Sequence, residues 1–228
     1  MSIKDNVAWA FDQIEKTKVR CGIKHAVELI AVTKTQPLLR VLEACEHGVV
    51  HIGENKIQEA VQKFKEEKRN SITKRFIGHL QTNKINKCLD LFDTIDSVDS
   101  VRLAKKISKK MVQREKSIPI FLEVNTSGDK EKNGFKPEEL EEMLEVASLG
   151  GLEVNGLMTI GPRSQNRDET RRAFKKLYSI KENLNQQSPK SNIYEVSMGM
   201  SGDFEIGIEE GSTMVRIGTA IFGERGSL

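Results

Sequence analysis

No apolar run in this chain approaches the length of a membrane span. The N-terminus, Met1–Asp12, carries Lys4, Asp5 and Asp12 and has no apolar signal region; it is not an Arg-rich, acid-poor transit peptide either. Cysteine is scarce. Cys21, Cys45 and Cys88 stand far apart with no CxxC pair, which argues against a disulfide framework and against a zinc knuckle. A reducing, cytoplasmic setting is expected. The four histidines, His25, His47, His51 and His79, show no metal spacing, so no metal is expected. Charge of one sign is lacking as well: 36 basic residues face 33 acidic ones, a net +3. That leaves no electrostatic footprint for nucleic acid. The basic pairs Lys105-Lys106 and Lys109-Lys110 lie on a helical pattern beside acidic residues and read as solvated faces. No linker of Pro/Gly/Ser composition divides the chain, so residues 1–228 read as one domain.

What the chain does have is alternation. Ser2–Arg20 is an amphipathic helix, capped by Ser2 with Asp5 three residues on. Strands are predicted at Leu29–Thr33, Val49–Ile52, Arg75–Ile77, Phe92–Ile95, Ile118–Val124, Leu152–Met158, Tyr194–Met198 and Thr213–Ile217. Helices are predicted between them at Pro37–His47, Lys56–Lys68, Asn83–Cys88, Asp99 or Ser100 to Glu115, Pro137–Leu149, Asp168–Asn185 and Phe204–Glu210. A final helical turn opens at Gly218-Thr219-Ala220, and Gln186–Asn192 reads as a surface connection. Strict alternation argues for a parallel sheet. Eight units fit an α/β fold of the closed (β/α)8 TIM-barrel kind with an extra N-terminal helix. An open doubly wound sheet is the alternative, and periodicity does not choose between them.

In a parallel barrel all the strand ends open on one face. The residues just after each predicted strand are Lys34; Glu54 and Asn55; His79; Asp96 and Ser97; Asn125; Met158 and Thr159; Ser201; and Arg216 to Thr219. They form a polar ring with one amine. Lys34 follows the buried run Leu29–Val32, where a buried ammonium is costly unless paired or neutral. Either its ammonium reaches water, or desolvation frees an amine able to attack an aldehyde. Ser201-Gly202 and Gly218-Thr219 follow the last two strands, where such barrels commonly bind phosphate. The glycines let a backbone approach the anion, and N–H groups and hydroxyls supply donors. The plain alternative is that they only make tight turns. Arg216 needs an acceptor, and a carboxylate such as Glu54 or Glu123 is one option. His79 either touches a ligand from the end of strand three or is structural.

These segments together resemble a known family, the pyridoxal phosphate homeostasis proteins. The resemblance is carried by Ala31-Val32-Thr33-Lys34-Thr35, Gly53-Glu54-Asn55, the stretch from Phe76 to Lys84, Glu123-Val124-Asn125-Thr126-Ser127 and Gly156-Leu157-Met158-Thr159-Ile160-Gly161. It continues through Ser197-Met198-Gly199-Met200-Ser201-Gly202-Asp203 and Gly211 to Gly223, so it covers about Val27 to Gly223. It implies a barrel like the N-terminal domain of bacterial alanine racemase. It implies that Lys34 carries pyridoxal 5′-phosphate as a Schiff base. By the same resemblance Ser201, Gly218 and Thr219 hold the phosphate, and Arg216 faces the pyridine nitrogen. Asn55 and His79 are carried over as cofactor-binding residues with less defined roles.

Fold analogy does not decide activity. Racemisation needs a base on each face of the bound amino acid. In alanine racemase, as the resemblance has it, the second base is a tyrosine from another domain of the partner subunit. Here Leu228 follows the barrel directly, and Tyr178 and Tyr194 fall within a helix and at the start of a strand. The expectation is therefore a cytoplasmic carrier, with no catalytic residue, that stores or delivers the cofactor. Candidate recipients are apo-enzymes that depend on it, and a monomer is expected. A weak amino-acid racemase is the runner-up. A barrel enzyme using Lys34 on a sugar aldehyde or ketone is the third reading.

Overall fold

The computed structural model describes residues 2–65, 71–164, 166–188 and 193–224. Helix α1 (Ile3–Cys21) leads, and eight strand–helix units follow. They run β1 (Glu28–Val32), α2 (Leu38–Glu46), β2 (His51–Glu54), α3 (Ile57–Lys63), β3 (Thr73–Phe76), α4 (Ile85–Leu91), β4 (Thr94–Val98) and α5 (Val101–Gln113). The second half runs β5 (Ile118–Glu123), α6 (Leu140–Ala147), β6 (Leu152–Met158), α7 (Arg167–Gln187), β7 (Glu195–Met200), α8 (Phe204–Glu209), β8 (Met214–Ile217) and the one-turn α9 (Thr219–Phe222). A short 3₁₀ turn, Thr82–Lys84, precedes α4. Each strand pairs in parallel with the next, and β8 returns to β1 through Glu28↔Met214, Leu29↔Val215, Ile30↔Arg216 and Ala31↔Ile217. That pairing closes the sheet into an eight-stranded barrel and rules out the open alternative.

Local chemistry explains the elements. The Ser2 hydroxyl accepts from the Asp5 amide at 3.1 Å, and the Asp5 carboxylate accepts from the Ser2 amide at 3.2 Å, the reciprocal capping the spacing predicts. Ile3, Val7, Ala10 and Ile14 form the buried stripe of α1, which packs on α2, α8 and α9. The helix ends at Gly22, whose φ of 66° is left-handed. Successive strand residues point to opposite faces. Leu29 and Ala31 join the large core between sheet and helices, whereas Ile30, Phe121, Met158 and Met214 form a separate buried cluster that fills the barrel.

The interior also holds charge. Arg75 donates to Asp96 through Nε at 2.6 Å and Nη2 at 3.1 Å, and its guanidinium lies 4.8 Å from the Phe121 ring centroid. Thr94 adds a hydroxyl donor to Asp96. This accounts for a boundary that differs from expectation. The fourth strand is Thr94–Val98 rather than Phe92–Ile95, because Asp96 and Ser97 are fully buried and hydrogen-bonded, Asp96 by Arg75 and Ser97 to Gly78 O. Likewise the second strand runs on through Gly53 and Glu54, since Glu54 is bonded internally. Helix α3 ends at Lys63 rather than Lys68; residues 66–68 of that expectation lie outside the described residues. So do residues 189–192 of the expected surface connection.

Candidate functional site

Where β1 ends, the chain turns sharply through Lys34 and Thr35. The Thr33 amide still donates to Gly53 O of β2 at 2.9 Å, and the Gln36 amide donates back to Thr33 O at 3.0 Å. Thr35 takes a φ of 64°, a left-handed conformation that a β-branched residue seldom adopts. Neighbouring groups hold it there. Glu59, on α3, accepts the Thr35 amide. Lys63, one turn further along α3, donates to Thr33 O at 2.7 Å and to the Glu54 carboxylate at 2.5 Å. The Thr33 hydroxyl donates to the same Glu54 oxygen at 2.6 Å. Both flanks of Lys34 are thus clamped from α3, Thr35 by Glu59 and Thr33 by Lys63, which shares the buried Glu54 with it. Burial raises the Glu54 pKa, and the Lys63 and Thr33 hydrogen bonds oppose that rise.

Across the β1–β8 seam lies the second half of the site. The Ser201 hydroxyl oxygen accepts from the amides of Gly218 at 3.3 Å and Ala220 at 3.5 Å. These amides open α9, so the turn already presents donors to one oxygen acceptor. A Cβ on Gly218 would meet Val32 Cβ and O at 3.3 Å, so glycine there lets the turn lie close on β1. Gly202 differs: a Cβ there would meet nothing within 4 Å.

Arg216 occupies the end of β8, buried, with Nη1 donating to Ser197 Oγ and Nη2 to Thr159 O, both at 2.7 Å. Its acceptors are therefore a hydroxyl and a carbonyl rather than Glu54 or Glu123; Glu54 is engaged by Lys63. Burial pulls the Arg216 pKa down, and the charges of Asp96, Asp203 and Glu123 oppose this. Arginine nonetheless keeps its proton in proteins, so the site carries a fixed cation.

Lys34, Ser201, Arg216, Gly218 and Thr219 line one cleft of about 280 Å³, with Gln36, Met200 and Gly202 beside them. That is at the small end of ligand sites, which run about 300–1,000 Å³. The cleft brings an amine, an amide-and-hydroxyl cradle and a guanidinium together around one small molecule. It suits an anionic group at one end and a carbonyl carbon at the other. Asn55 and His79 stand elsewhere in the mouth and do not line this cleft. Asn55 follows β2, and its buried Oδ1 has no hydrogen-bond partner, an acceptor still to be satisfied. His79 is exposed, 3.0 Å from Asp99 through Nδ1, and lines a separate cleft with Gln81 and Arg102. Among the described residues no cluster of His, Cys, Asp or Glu could hold a metal.

Glu59 and Lys63, which fix the Lys34 turn, escaped the sequence reading; Thr159 and Ser197 stood in the strand-end ring and the family segments, but not as the acceptors that fix Arg216. The one visible signal was the Glu59–Lys63 spacing of four on a helix. Glu123, at the end of β5, is buried in the mouth, and its pKa is pushed up to about 7. Burial is the main cause and Asp99 adds to it, while Arg216, His79 and Lys132 pull the other way.

Residues 12–226 match the family model described as alanine racemase, N-terminal domain. A protein of Vibrio cholerae named pyridoxal phosphate homeostasis protein is 37% identical over 230 residues, which span 98% of this chain and 97% of that one. The structure of PipY from Synechococcus elongatus PCC7942, with PLP bound, is similar at a TM-score of 0.85 and 32% identity, covering 97% of this chain and 100% of that one. Alanine racemase from Clostridium difficile 630 shares the fold, with a TM-score of 0.76 and 16% identity; the match covers 98% of this chain and 58% of that one.

Proposed function

Because the chain belongs to the family of the alanine racemase N-terminal domain, alongside the pyridoxal phosphate homeostasis proteins, we propose that it binds pyridoxal 5′-phosphate and serves its homeostasis. The observation that carries this reading is the single cleft in which Lys34, the Ser201–Gly218 cradle and Arg216 meet. The residues present fit the group. Ser201, Gly218 and Thr219 would take the phosphate, in a turn whose amides already converge on an oxygen.

The chemistry the bound group supplies is an aldehyde, which condenses with an amine to a Schiff base and releases one water. Lys34 is the amine that lines the cleft. Arg216 would face the pyridine nitrogen. A guanidinium that keeps its proton leaves that nitrogen without one, and the ring is then a poor electron sink. Such a site holds the cofactor and discourages carbanion chemistry on it.

Two further observations support a carrier over an enzyme. Tyr194 stands exposed before the first residue of β7, the strand end opposite the site. Tyr178 lies on α7, with its ring beside Gly211. Neither supplies a base across from Lys34. A cytoplasmic setting accords with the thiols of Cys21 and Cys88, which form no disulfide. Enzymes that need the cofactor are the recipients this reading implies.

The test is spectroscopic. Purified protein mixed with the cofactor should develop the near-ultraviolet or visible band of a covalent adduct, and Lys34→Ala should lose it. Alanine in heavy water should keep its α-proton in the presence of the loaded protein. Rapid deuterium exchange that Lys34→Ala abolishes would establish an enzyme instead.

A further inference from the structure

We propose that Arg40 is a strut that sets the separation between the Lys34 turn and the phosphate cradle, and thereby the preference of the cleft for a phosphorylated ligand. This rests on the cofactor reading above and deepens it. Arg40 lies in the first turn of α2 and spans both halves of the site. Its Nη1 donates to Gln36 Oε1 at 2.8 Å, and its Nη2 donates to Phe222 O at 2.6 Å. Its guanidinium carbon lies 5.9 Å from the Phe222 ring centroid, within cation–π reach.

Each end of the strut matters. Gln36 closes the Lys34 turn, its backbone amide donating to Thr33 O, and the residue lines the cleft. Phe222 is the last residue of α9, whose opposite end presents the Gly218 and Ala220 amides to Ser201. Four residues are too few for a helix to hold its own direction. Its carbonyl end must be tethered from outside, and Arg40 does this at Phe222. Asn6 ties Ile221 O to α1 at 2.8 Å, a second tether that leads away from Lys34.

A ligand with an aldehyde at one end and a phosphate at the other has a fixed span. The cleft can engage both ends at once only if amine and cradle are already set at that span. Arginine suits the task because its planar fork reaches two acceptors at fixed geometry. Lysine carries the same charge but is a point donor on a flexible stem.

The experiment titrates wild type, Arg40→Ala and Arg40→Lys with pyridoxal 5′-phosphate and, separately, with pyridoxal, reading the adduct band, with a thermal melt of each protein. Wild type should prefer the phosphorylated ligand. Both variants should lose about tenfold of that preference, the scale of one charge-assisted hydrogen bond, while pyridoxal binding changes little. A preference retained in both variants overturns the strut. So does a wild-type preference in Arg40→Lys with a loss in Arg40→Ala, because charge alone would then be the cause. An equal loss for both ligands overturns it too, since that is general damage to the fold. If Arg40→Ala does not fold, Arg40→Lys decides. A wild type with no band, or with no preference for the phosphate, overturns the cofactor reading along with the strut; a wild type that prefers the phosphate separates the two.

Discussion

Glu123 ends β5 with a carboxyl that burial and Asp99 push up to about 7, from an ordinary 4.5. Between those two values the folded chain binds a proton that the unfolded chain has released. Stability therefore falls as pH rises through about 4.5 to 7, and the whole penalty is present above that window. Glu123→Gln removes a charge that the mouth disfavours. Relative to wild type it should be more stable at pH 8, by roughly 2–3 kcal/mol at most, and unchanged at pH 4. Urea melts at the two pH values check this. Equal differences at both would mean that Arg216, His79 and Lys132 already offset the burial. Arg216 is the contrasting case, a charge kept in place because Ser197 and Thr159 accept its donors.

The decisive element is α3. It makes no direct contribution to the cleft lining, yet it holds the turn that carries Lys34 through Glu59 and Lys63. Lys63 also neutralises Glu54, which is fully buried and has one carboxylate oxygen without a partner. Removing one partner of a buried ion pair typically costs about 3–5 kcal/mol. Lys63→Ala should approach that cost at pH 8 and cost less near pH 5, where Glu54 is more easily protonated. Thermal melts across this range measure it, and a pH-independent loss would contradict the assignment. The strand ends show why element boundaries were hard to read. Glu54 and Asp96 are polar residues inside strands, and each is held by groups outside its own strand: Lys63 and Thr33 on one Glu54 oxygen, and Arg75 on Asp96. A period-2 pattern treats such residues as the start of a loop.

At the scale of the whole molecule, eight alternating units were legible because parallel strands buried on both faces are short apolar runs between helices. Closure was not legible, since it resides in the β1–β8 pairing of residues almost the whole chain apart. Lys34, Ser201, Arg216, Gly218 and Thr219, which share the cleft, were legible because each follows or ends a strand, where a barrel collects its chemistry. Arg40 was not, because its partner Phe222 is 182 positions away. Among the described residues no helix is long and apolar enough to cross a membrane. The account depends on one covalent link, and reduction tests it directly. The loaded protein is treated with borohydride, digested, and its labelled peptide identified by mass spectrometry. The account predicts a single adduct, on Lys34; an adduct on another lysine, or none, would contradict it.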